Sequence, residues 1–142
     1  MKFHVDLGVG DEVIEPLEEL VGDDWLGFAG IPAVSVRALS AEQHWAEKLH
    51  AYTRPREGTN SRVKDLVALA LLIDRQALSV ERIRSAVAAT FARRGTHLVP
   101  VDLPAPPTAW TRPFAALAAE CGLPDTATSA HARVSAYWKD SV

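Results

Sequence analysis

A single cysteine in 142 residues rules out an internal disulfide framework. Cys121 stands just before Gly122 at a predicted helix end, and such lone cysteines are most often small core residues. The five histidines are scattered and show no metal-ligand spacing with that cysteine, which argues against a zinc site. No apolar run approaches the ~20 residues that a membrane-spanning helix needs, and the N-terminus lacks the pattern of a secretory signal. A soluble, cytoplasmic protein is therefore expected, without contact to membrane. Internal repeats and low-complexity tracts are also missing.

What the chain does have is apolar material. At 48% hydrophobic residues it can bury a core, and residues 1–142 are expected to form one domain. The pattern predicts an α+β fold: a small sheet within residues 1–39, packed against a mainly helical part over residues 40–142. The net charge of −3 hides an asymmetry. Residues 1–24 carry eight acids against one base, Lys2, whereas residues 48–64 carry five bases against one acid, Glu57. The two runs either pair or lie on solvated faces, or the basic run forms a local anion site for nucleotide or RNA phosphates.

Phe3, Val5, Leu7 and Val9 alternate with His4 and Asp6, the period of a half-buried strand. Residues 17–30 are acidic with scattered apolar positions and predict a weak helix or irregular cover. A short strand, VSVRAL, lies within Ile31 to Leu39, with Arg37 on the side of Ser35. Ser79 caps a helix running to about Arg94, with Leu78 and Ile83 at the staple positions and Gly95 as its stop. The Pro-rich run from Leu98 to Trp110 predicts an extended crossing. Two short helices follow, Thr111 to Cys121 and Asp125 to Lys139, the second with Ala127, His131, Val134 and Trp138 on one face.

The centre of the pattern is Ser40 to Asp74. Ser40 with Gln43 has the form of a capping box, and Ala41, Trp45, Leu49 and Tyr52 make one helical stripe. Lys48 falls inside that stripe. Its methylenes either cover the core while the ammonium snorkels to water, or the ammonium points into a cleft, as phosphate-binding lysines do. A second helix, Arg62 to Asp74, is apolar nearly all round, with Arg62, Lys64 and Asp65 in its first turns. Asp65 is either a carboxylate favoured by the helix dipole or a buried acid facing Lys48. The intervening loop carries Arg54 and Arg56 on a backbone restricted by Pro55.

AEKLHAYTRPRE followed by SRVKDLVAL resembles the third and fourth motifs of the AbiEii/AbiGii-type nucleotidyltransferases, DNA polymerase beta-like enzymes that include toxins of toxin–antitoxin and phage-defence systems. The family's Leu-x4-Lys maps onto Lys48, with Gln43 at the Leu position. Its Arg-x-Lys-Asp-x-x-Asp-Leu maps onto Arg62, Lys64, Asp65 and Leu69, with Ala68 at the second Asp. FHVDLGVGD is similar to the family's carboxylate-bearing strand and puts Asp6 at the carboxylate position. The Gly-Ser…Asp-x-Asp motif that bears the metal carboxylates upstream has no counterpart. The chain thus looks like the C-terminal portion of such an enzyme.

This resemblance implies Mg²⁺ and an NTP, with Lys48, Arg62 and Lys64 on the phosphates, Asp65 orienting Lys48 or assisting proton transfer, and Asp6 at a metal or base site. The acceptor would be a tRNA, another RNA or a protein, and an antitoxin would be a partner. Without the paired carboxylates the chain is expected to be catalytically incomplete alone, completed by a missing N-terminal half or acting as a homodimer. The alternatives are a non-catalytic phosphate- or antitoxin-binding module, or a purely structural remnant.

Overall fold

A computed structural model describes residue 13 and residues 15–58, 62–75 and 78–141. The strand expected at Phe3–Val9, with His4 and Asp6, lies outside the described residues. The fold is α+β, as the pattern predicts: five α-helices and one two-stranded antiparallel sheet among the described residues. The chain divides into two compact units, Met1–Leu39 and Ser40–Val142.

The first unit holds β1 (Glu18–Val21) and β2 (Ser35–Ala38). Leu20 pairs with Val36, and Glu19 pairs with Arg37, an opposite-charge pair across the ladder. Ser35 donates its hydroxyl hydrogen to the Glu19 carboxylate, and Arg37 reaches Glu15 at 3.0 Å. β2 is the core of the expected VSVRAL strand. β1 corrects the expectation of a helix or irregular cover over residues 17–30, where only Gly27–Ala29 makes a 3₁₀ turn. Four residues are too few to display a period, and these acquire their conformation from pairing with β2. Leu20, Trp25, Phe28, Val34 and Val36 are all exposed in this unit.

The second unit is helical: α1 (Ala41–Thr53), α2 (Val63–Arg75), α3 (Val80–Arg94), α4 (Thr111–Glu120) and α5 (Ala127–Ser141). Ser40 starts α1 by accepting the Gln43 N–H at 3.2 Å, and Ser79 starts α3 by accepting the Arg82 N–H. Gly95, at φ 56°, ends α3 in the left-handed conformation that a side chain resists. α1 packs against both α2 and α3. It therefore buries more than the stripe of Trp45, Leu49 and Tyr52: Glu42, Gln43, Ala46 and His50 go inside as well. Trp45 meets Trp138 of α5 with ring centroids 5.7 Å apart, at the centre of a core that includes Leu66, Leu69, Ile83 and Phe114.

The Pro-rich run crosses this core as an extended strap, closing in a 3₁₀ turn at Thr108–Trp110. Proline contributes no N–H, so the strap is held through its carbonyls. Tyr52 donates to the Pro104 carbonyl at 2.6 Å, Trp138 to Pro100 at 2.9 Å and His131 to Leu103 at 3.2 Å. Burial pushes the Tyr52 hydroxyl up to about 12, which keeps it a donor. His131 is thus a half-buried strut at the core edge, and Cys121 packs partly buried against the same core.

Candidate functional site

Lys48 sits on the turn of α1 between Trp45 and Tyr52, both buried, so its stem is rooted in the core. Asp65 lies in the first turn of α2 and is 4% exposed. Because α1 and α2 pack together, the two side chains meet: Lys48 Nζ lies 3.6 Å from Asp65 Oδ1. Arg62 approaches the other oxygen, its Nη1 3.5 Å from Oδ2. The Arg62 carbonyl also accepts the Asp65 N–H at 3.0 Å, so Arg62 forms the entry to α2.

The site is asymmetric in burial. The Asp65 side chain is 6% exposed, whereas the side chains of Lys48 and Arg62 are 34% and 37% exposed. Oδ2 accepts no hydrogen bond and is held only at ion-pair distance. A buried carboxylate near a helix N-terminus thus anchors two cations whose outer faces reach solvent. Such an arrangement presents positive charge to an anion while fixing where that charge sits.

Lys64 is exposed and lies about 100° round the helix from Asp65, outside this ion-pair cluster. Asp6 lies outside the described residues. Of the residues singled out by sequence, the structure therefore brings together Lys48, Arg62 and Asp65.

His44 is a neighbour that the sequence pattern passed over. It lies one helical turn before Lys48, the spacing at which side chains share a face. Burial, then the adjacent Lys48 charge, lowers its pKa from the ordinary 6.5. The i, i+4 spacing from Lys48 was the available signal.

Two further carboxylates fasten α1 to α3 beside this site. Glu42, 4% exposed, accepts the Ser79 N–H at 3.1 Å and faces Arg82 at 3.2 Å. Glu47 takes Arg93 at 2.6 Å and Arg94 at 2.8 Å. They stiffen the helix that carries Lys48. Among the described residues no three His, Cys, Asp or Glu side chains cluster to hold a metal ion, and the Asp65 carboxylate is already faced by two cations. The described part of the site does not fit Mg²⁺ on its own.

Among the described residues no helix is long and apolar enough to cross a membrane. No curated protein matches the chain. Residues 1–138 match the family described as nucleotidyl transferase AbiEii toxin, type IV TA system. The match covers nearly the whole sequence, and the chain belongs to the AbiEii nucleotidyltransferase toxin family.

Proposed function

We propose that Lys48 and Arg62 bind the phosphates of a nucleoside triphosphate, with Asp65 holding both cations in place, as part of nucleotidyl transfer to an RNA or protein acceptor. Membership of a type IV toxin–antitoxin family implies an antitoxin as partner and metal-assisted use of an NTP. The supporting observation is the buried Asp65 carboxylate, which positions two partly exposed cations on packed helices. In the transfer, an acceptor hydroxyl gives its proton to a base or to water and bonds to the α-phosphorus, the α–β anhydride bond breaks, and pyrophosphate departs. Negative charge grows on that leaving group, where pre-placed cations act most strongly. Lys64 adds a solvent-side charge, and Asp6 is the position assigned to the metal or base role.

A second reading is a phosphate-binding module without catalysis, in which the Asp65 carboxylate serves only to hold Lys48 and Arg62. One assay separates them. The full chain is incubated with labelled NTPs, Mg²⁺ and RNA, alongside Lys48→Ala and Asp65→Ala, with circular dichroism to check folding. Transfer by the wild type that is lost in both folded variants supports the enzyme. Nucleotide binding without transfer supports the module. Transfer that survives both changes refutes the site.

A further inference from the structure

His44 stands one helical turn before Lys48 on α1, and the contacts among Lys48, Arg62 and Asp65 give it no task. Residues four apart on a helix share a face, with their Cβ atoms about 5–6 Å apart. A long helical side chain leans toward the N-terminus, so the Lys48 stem leans toward the turn that carries His44. The ammonium is felt at the ring, where its charge adds to burial in lowering the pKa from the ordinary 6.5.

The ring is also unengaged. His44 is exposed, and among the described residues its imidazole makes no hydrogen bond, ion pair or ring contact. The other described histidines are held: His50 and His97 by Thr96, His97 also by Thr53, and His131 at the Leu103 carbonyl. The charges on the elements packed against α1 are directed elsewhere. From α2, Arg62 and Asp65 meet each other, and Asp65 meets Lys48. From α3, Arg82 faces Glu42, while Arg93 and Arg94 face Glu47. Tyr137 of α5 packs on Trp45 and stays neutral, its pKa raised by burial. Lys48 is the charge that reaches His44.

Beside an ammonium, an imidazole resists protonation. A polyphosphate seated on Lys48 reverses the local field, and its negative charge then favours the imidazolium. The imidazolium in turn offers the phosphates a charge-assisted N–H donor from the same helix face. We propose that His44 is a third phosphate ligand beside Lys48 and Arg62, protonated by the nucleotide that it helps to bind, so that nucleotide binding takes up a proton. The proton comes from solvent and settles on an imidazole nitrogen, and no bond of the nucleotide changes. This inference rests on the phosphate reading of Lys48 and deepens it. Because the bound form holds more protons than the free form, affinity rises as pH falls.

Calorimetric titration of the full chain with each NTP and excess Mg²⁺, in two buffers of different ionisation enthalpy, counts the protons taken up. Near neutral pH the wild type should take up about half a proton or more per nucleotide, and its affinity should fall about fivefold between pH 6.5 and 8. His44→Gln, which keeps a donor but takes no proton, should lose both the uptake and the pH dependence, whereas His97→Gln keeps both. Binding that weakens in Lys48→Ala yet carries no proton, or uptake that persists in His44→Gln, would overturn the role of His44 and leave the phosphate reading standing. Absence of binding to every NTP would overturn both. Should His44→Gln fail to fold, the wild type decides by NMR. A His44 ring that titrates at higher pH with saturating NTP than without it supports the contact, and an unmoved midpoint refutes it.

Discussion

Lys48 Nζ stands 3.6 Å from Asp65 Oδ1, the lysine one-third exposed and the aspartate buried. Loss of either partner is therefore unequal. Lys48→Met leaves a buried carboxylate with Arg62 alone, while Asp65→Asn leaves cations that can turn to water. Lys48→Met should cost ~1–3 kcal/mol and Asp65→Asn ~1 kcal/mol or less. Urea unfolding of both variants and the double variant checks this. Equal costs would contradict the unequal burial of the two partners, and simple additivity would mean that the pair is not coupled.

The pH dependence of stability follows from the histidines. Burial lowers His44, His50 and His97 from 6.5 in the folded protein. The unfolded chain takes up protons near 6.5 while the folded chain does so only at lower pH. The stability contribution is full above 6.5 and is lost as pH falls through that value toward the folded pKa values. The urea midpoint should accordingly fall between pH 7.5 and 5, and less so in His97→Gln. A flat profile would contradict the lowered histidine pKa values.

The caps of the two long helices differ in their support. Ser40→Ala should cost ~1 kcal/mol, as N-cap removals do. Glu42→Ala should cost more, ~2 kcal/mol, because it strips both the acceptor of the Ser79 N–H and the partner of Arg82. Thermal unfolding ranks them directly.

How far these features were legible in the sequence depends on the distance over which each one acts. The Ser40 and Ser79 caps, the Gly95 stop and the apolar α2 are local, and they stand where the spacing placed them. β1 was hidden because a four-residue exposed strand is made by its partner, not by its own pattern. Glu42 and His50 lie off the α1 stripe of Ala41, Trp45, Leu49 and Tyr52. They are buried because α1 is covered by α3 as well as α2, which single-helix periodicity cannot show. Lys48 and Asp65 were each legible as misplaced charges, and only packing shows that they meet.

The tryptophans should report the two units separately. Trp25 is 77% exposed, whereas Trp45, Trp110 and Trp138 are buried. Acrylamide should quench one component strongly, and Trp25→Ala should remove that component with a stability change within ~0.5 kcal/mol. Trp45→Ala, by contrast, should cost ~3–5 kcal/mol.

The most direct measurement of the central claim is calorimetric titration of the full chain with each NTP in the presence of Mg²⁺, with Lys48→Ala as the comparison. Binding by the wild type that weakens by about tenfold or more in a folded Lys48→Ala, and weakens further with salt, is the predicted result. Absence of binding, or equal affinity in the variant, would contradict a phosphate site at Lys48.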